Sequence, residues 1–195
     1  MPRTGLPYYF NSYSDYQQHV NILVNAGIIE DATKVWWDIR PSDRFPTLEM
    51  RISDICTTLD DTVCIAAIYV CWLRMLYRLR KNNQRWRLYS KMLLNENRWR
   101  AHRYGIDEGL IDFSLGEVVP YHKLVNEMLQ LISEDAEALG FSNEVKHARN
   151  ILKRGTSAHR QLDVYKKAIA ASFSHAEALK KVVDWLRKET MRGIR

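Results

Sequence analysis

Trp36-Trp37-Asp38-Ile39-Arg40 and, beyond the six residues Pro41 to Pro46, Thr47-Leu48-Glu49-Met50-Arg51 decide how this chain is read. Each segment carries an acid and an arginine two residues apart, and both alternate. In a β-strand, residues i and i+2 point to the same face. Asp38 and Arg40 therefore share one face, as do Glu49 and Arg51, while Leu48, Met50 and Ile52 turn the other way, toward a core. If the intervening residues close an antiparallel hairpin in simple register, Asp38 stands opposite Glu49, with Cβ atoms roughly 5 Å apart. Two facing carboxylates flanked by two guanidiniums offer oxygen ligands for Mg²⁺ and forked donors for phosphate. An ordinary charged sheet face has the same pattern, because cross-strand charge pairs contribute only about 0.2–1 kcal/mol.

The chain has 195 residues, 46% of them apolar and 27% charged, which is the balance of a globular chain. That length suits one domain or one large part of a larger one. The longest apolar run, Val63 to Leu73, is far short of the roughly 20 residues that span a bilayer. The opening Met1-Pro2-Arg3-Thr4-Gly5-Leu6-Pro7 reads as loop, without the basic-then-apolar pattern of a signal peptide. A soluble, cytoplasmic protein without a membrane partner is the expectation. Of the three cysteines, Cys64 and Cys71 share a helical face about 10 Å apart, too far for a disulfide. They read as small buried apolar residues. The six histidines show no metal spacing.

The net charge of +6 is concentrated. Between Arg74 and Arg103 lie ten basic residues and one acid, Glu96, interleaved with Trp72, Tyr77, Trp86, Tyr89 and Trp99. Basic and aromatic residues in this mixture can form a nucleic-acid surface. The spacing of the aromatics among Leu76, Leu79, Leu88 and Leu93 favours core packing beneath a basic outer face.

Ser14-Asp15 reads as the N-cap of a helix through Asn25, stopped by Gly27. Leu59-Asp60-Asp61 caps a long helix over Thr62 to Lys81, apolar nearly all round at its start and so expected to be buried there. Asn82-Asn83 breaks it, and a second basic helix runs to Tyr104, closed by Gly105. Leu110-Ile111-Asp112-Phe113 and Glu117-Val118-Val119 read as a hairpin. Four helices follow: Tyr121 to Leu139, Ser142 to Arg154, one from Thr156-Ser157 to Ala170, and one from Ser174 to Glu189. The class is α+β, with residues 1–58 supplying strands and loop and 59–195 mainly helix, in one unit. Two main strands are too few for an independent sheet. The expectation is that they belong to a larger sheet whose other strands lie outside this chain.

Val35-Trp36-Trp37-Asp38-Ile39-Arg40-Pro41 with Arg44-Phe45-Pro46-Thr47-Leu48-Glu49-Met50-Arg51 resembles the signature of the type 2 glutamate–cysteine ligases, the carboxylate-amine ligases. Three further blocks occur in that family's order. They are Glu96-Asn97-Arg98-Trp99-Arg100-Ala101 with Arg103-Tyr104-Gly105, Leu110-Ile111-Asp112-Phe113, and Arg154-Gly155-Thr156-Ser157-Ala158 with Arg160-Gln161-Leu162. The opening Arg3-Thr4-Gly5-Leu6-Pro7 fits as well. The resemblance implies a glutamine-synthetase-like antiparallel sheet with helices outside it. It also implies ATP-dependent amide-bond formation, in which ATP phosphorylates a glutamate-like carboxylate and an amine such as that of cysteine displaces phosphate. Such chemistry needs shielding of phosphate charge more than a nucleophilic side chain.

Carried onto this sequence, the resemblance makes Glu49 a Mg²⁺ ligand, with Asp38 beside it. Arg51 contacts ATP and the transferring phosphate, Arg40 assists, and Arg3 holds a substrate carboxylate. Asn97 and Arg100 are expected to brace the sheet, and Arg160 and Gln161 are left open. A homodimer or a companion chain is implied as partner. Two departures stand out. The acidic Glu-x-Glu strand with which the family's sheet begins is missing, so the chain resembles a C-terminal half. His159 stands where the family has an acid, and a helix N-terminus favours an acid over a histidine.

Overall fold

The computed structural model describes residues 2–193; Met1, at the head of the opening loop, lies outside them. The chain divides into two compact units, residues 1–54 and 55–195. The class is mixed and mostly helical, with three two-stranded sheets among the described residues.

In the first unit β1 (Thr4–Gly5) pairs in parallel with β2 (Trp36–Trp37). Between them runs α1 (Tyr13–Asn25), capped by Ser12, whose hydroxyl accepts the Asp15 N–H; the cap lies two residues ahead of Ser14. The first unit's core is Tyr16, Val20, Ile29, Val35 and Trp37, with Phe10 wedged at 5.6 Å from the Tyr16 ring and 5.7 Å from that of Trp37. β3 (Ile39–Pro41) then pairs antiparallel with β4 (Leu48–Met50). Leu48 and Ile52 do not reach a core, being 46% and 52% exposed. The apolar packing of this unit comes from α1, Trp37 of β2 and the segments that join them, and the second hairpin strand lies outside it.

The second unit is organised around α2 (Leu59–Lys81). The helix begins at Leu59 after Thr58, three residues earlier than expected, and its start is two-faced rather than buried all round. Cys64, Ala67, Cys71 and Met75 form one buried stripe, while Leu59 and Val63 are exposed. Small side chains on the buried stripe let α5 (Ser133–Leu139) and α6 (Ser142–Lys146) approach closely, closing a core with Leu129, Ile132, Ala136 and Val145. Both buried cysteines are free, and burial pushes the Cys64 thiol up to about 11.

After Asn83, in the left-handed region at φ 55°, residues 84–90 form neither helix nor strand. The second basic helix, α3, is therefore only Lys91–Tyr104 and has no buried residue. Trp86 and Tyr89 stay more than a third exposed and Trp99 half exposed, so the expected core packing of these aromatics is not found. β5 (Leu110–Asp112) and β6 (Glu117–Val119) form the expected hairpin. The helix expected over Tyr121 to Leu139 is two, α4 (Tyr121–Leu131) and α5. At the break Ser133 donates its hydroxyl to the Gln130 carbonyl, competing with the helical ladder. The next helix is also split, into α6 and α7 (Ala148–Arg154), at His147, whose ring turns inward to Asp61. α8 (Ser157–Ala170) and α9 (His175–Thr190) end the chain as a capped pair.

Two buried acids hold α2 in place. Asp135 of α5 is fully buried and accepts from Arg74 and, at 2.8 Å, from Arg78. Asp61 accepts from Arg154 and lies 2.9 Å from His147 Nε2. Arg78 first, and then Arg74, hold the Asp135 carboxyl below the usual carboxylate range. A carboxyl depressed in the folded state stabilises above its unfolded pKa of about 4, and the contribution is lost as pH falls through the lower folded value. Asp135→Asn should therefore lower the unfolding free energy by about 2–4 kcal/mol in urea titrations at pH 7. The difference should shrink in acid, and equal stability at pH 7 would contradict the clamp.

Candidate functional site

The hairpin closes through Ser42, whose N–H donates to the Thr47 carbonyl at 2.9 Å and whose hydroxyl accepts from Phe45 N–H at 3.2 Å. The loop is thus only Asp43 to Pro46, and the register pairs Arg40 with Glu49 and Ile39 with Met50. Asp38 does not face Glu49. Its carbonyl instead accepts the Arg51 N–H at 2.7 Å, and its own N–H donates to Gly5. The simple register assumed a six-residue loop. A four-residue loop started by Ser42, a residue that caps its own turn, moves the pairing by two and keeps the faces but exchanges the partners.

The acid and both arginines nevertheless converge. Glu49 Oε2 accepts from Arg40 Nε at 2.9 Å, and Oε1 accepts from Arg51 Nη1 at 2.7 Å. Arg51 first and Arg40 next hold the Glu49 carboxyl below the usual carboxylate range. The two arginines differ in setting. Arg40 is buried, and its Nη1 also donates to the carbonyls of Thr33 at 2.6 Å and Val35 at 2.8 Å. It anchors β3 to the turn before β2. Arg51 and Glu49 are more than a third exposed, so a ligand can reach them. Asp38 is buried. Arg3, at a left-handed φ of 61°, has its Nε donating to the Lys34 carbonyl and its guanidinium 5.9 Å from the Trp36 ring.

Glu49 with two guanidiniums has a net charge of +1, which attracts an anion and repels a divalent cation. Mg²⁺ wants near-octahedral oxygen ligation. Here both Glu49 oxygens are occupied by guanidiniums, and no group of three or more His, Cys, Asp or Glu among the described residues could hold a metal. The residues of this chain do not by themselves fit Mg²⁺. They do fit a phosphate or carboxylate.

The second unit uses its family-like blocks structurally. Asn97 imitates a strand partner for Ile111, donating to its carbonyl at 2.9 Å and accepting its N–H at 2.7 Å. Arg100 donates to the carbonyls of Gly109 and Glu108. Arg160 donates to Glu189 at 2.6 Å and covers the Trp185 ring at 4.7 Å, and Gln161 donates to Ser157. A cleft of about 1000 Å³, which the sequence did not signal, opens between residues 84–90 and the β5–β6 hairpin, lined by Trp86, Arg87, Tyr89 and Phe113 among others.

Comparison with known proteins supplies the context. The glutamate-cysteine ligase family 2 matches residues 1–184. A Rhodospirillum rubrum protein provisionally named glutamate–cysteine ligase 2 is 60% identical over 191 residues, covering 98% of this chain and 49% of that protein. Proteins of the same provisional name from Jannaschia sp. and Paracoccus denitrificans are 49% and 45% identical, covering 97% and 99% of this chain and 50% and 51% of their own lengths. The chain spans about half the length of the curated relatives it matches.

Arg40→Lys tests the anchor, since a compact ammonium cannot span Glu49 on one side and the Thr33 and Val35 carbonyls on the other as the planar guanidinium does. It should destabilise the first unit by about 1–3 kcal/mol and raise the Glu49 carboxyl toward the ordinary range in a ¹³C NMR titration. An unmoved Glu49 titration would contradict the pairing.

Proposed function

This chain belongs to glutamate–cysteine ligase family 2, and on that premise we propose that it supplies part of the active site of an ATP-dependent carbon–nitrogen ligase. The observation that carries this reading is the convergence of Arg40 and Arg51 on Glu49. In the proposed reaction a carboxylate oxygen of a glutamate-like acid attacks the γ-phosphorus of ATP, ADP leaves, and an acyl phosphate forms. An amine such as that of cysteine then attacks the acyl carbon and loses a proton, and phosphate departs as the amide bond closes. Arg51, exposed and oriented by Glu49, neutralises charge on the transferring phosphoryl group. Arg40 is a positioning residue that fixes Glu49 from beneath. Asp38 shapes the strand end, and Arg3 is a candidate for the substrate carboxylate. A complete Mg²⁺ site would need further oxygen ligands from outside this chain.

In the same reading β3 and β4 are part of a larger, glutamine-synthetase-like antiparallel sheet, this chain corresponds to the C-terminal half, and the complete ligase works in the cytoplasm as a homodimer. A second reading makes the chain a natural half-subunit completed by a separate N-terminal chain. The exposed Leu48 and Ile52 on the hairpin favour it, since an uncovered strand invites a partner. The denatured mass of the protein purified from its own cells separates the two: 23.0 kDa supports the half-subunit, and about twice that supports the longer polypeptide.

The reaction is tested in the full-length Rhodospirillum rubrum relative, at the positions matching Glu49 and Arg51. Alanine at either should reduce amino-acid-dependent phosphate release from ATP by roughly 10²-fold or more while the circular dichroism spectrum is kept. Unchanged turnover in both variants would remove these roles.

A further inference from the structure

Helix α2 carries a second stripe that the fold does not use. Leu59, Val63, Ala66, Val70, Leu73 and Tyr77 recur at alternating intervals of four and three, the pattern of a helix face that meets a partner. They lie on the side away from Cys64, Ala67, Cys71 and Met75. Leu59 is 53% exposed and Tyr77 66%, with Val63, Ala66 and Val70 exposed between them and Leu73 half-buried. The stripe runs about 27 Å along the helix. Continuous apolar surface of this kind marks an interaction site.

The helix is long and apolar enough to cross a membrane by length and composition, yet its ion pairs argue otherwise. Arg74 and Arg78 are bound to the fully buried Asp135, and Asp61 is bound to Arg154. Between Asp61 and Arg74 only about 18 Å of helix is free of charge, against a hydrocarbon core of about 30 Å. The relatives point elsewhere: the one that is 60% identical is about twice as long as the matched region. We propose that the outer stripe of α2 is the seam on which the remaining half of the family's polypeptide docks, whether it is joined to this chain or supplied as a separate one. The occupant is an apolar protein surface, and burying Leu59, Val63, Val70 and Tyr77 against it completes a helix that is otherwise packed on one side only. The inference rests on reading the chain as one half of a family member, and not on the proposed reaction.

Cysteine labelling tests it without turnover, so failure of the ligase reading and failure of the seam are separate results. Ala66→Cys in this chain, and cysteine at the matching position of the full-length Rhodospirillum rubrum relative, are treated with a maleimide and followed by peptide mass spectrometry. Val63→Cys provides a second site, and Lys180→Cys on the exposed side of α9 a control. Labelling at 63 and 66 should be at least tenfold slower in the full-length protein, with the control equal in both. Equal rates at 63 and 66 would overturn the seam. Protection in this chain alone that is relieved by dilution would overturn it in favour of a second copy. Protection that requires phosphatidylethanolamine–phosphatidylglycerol vesicles would overturn it in favour of a bilayer.

Discussion

Two buried carboxylates set the arrangement of the helical unit. A carboxylate withdrawn from water costs several kcal/mol unless charge and hydrogen bonds replace the lost hydration. Asp135 and Asp61 each meet that requirement with two partners from another helix or its edge. Arg74 and Arg78, one turn apart on α2, close on Asp135 and fix the height of α5 along the helix. Arg154 and His147, at the two ends of α7, close on Asp61 and fix the other end. Between the two clamps the small side chains of Cys64, Ala67 and Cys71 leave room for close approach, and the core fills from Ile132 and Val145. The apolar core supplies contact area, and the acids supply the alignment.

In the strand unit a single acid plays a similar part with a different outcome. Glu49 lies on the exposed strand of the hairpin, so its two guanidiniums divide between structure and access. Arg40 is drawn inward to the carbonyls of Thr33 and Val35, and Arg51 stays at the surface. In the proposed reaction the buried cation beneath would hold the reachable one toward the transferring anionic group. The same geometry explains why this chain alone is a poor home for a divalent metal. Its one converging acid is already neutralised.

His159 illustrates how a substitution against the local rule can be absorbed. A histidine near a helix N-terminus lacks the negative charge that the dipole favours. Here its Nδ1 faces the Thr156 N–H and hydroxyl, completing a capping box, and Nε2 meets Asp107 at 2.9 Å. With Nδ1 accepting from the Thr156 N–H, Nε2 is the nitrogen that donates to Asp107. Gly155 is required beside it, because at φ 83° a Cβ there would stand 2.8 Å from the His159 Cβ.

What was legible in the sequence was local. Gly105 closing one helix, Ser174 opening another and the β5–β6 hairpin all depend on residues within a few positions of one another. The alternation around Glu49 likewise determined which side chains share a face. Tertiary structure decided the rest. The hairpin register turned on how Ser42 closes its loop, the breaks at Ile132 and His147 on contacts that compete with the helical ladder, and the non-helical course of residues 84–90 on surroundings that propensity does not contain. The two-faced character of α2 is the clearest case. Its apolar sequence determined a helix that could be covered on every side, but which sides are covered depends on the polypeptide packed around it, because burial belongs to an assembly of elements and not to any one of them.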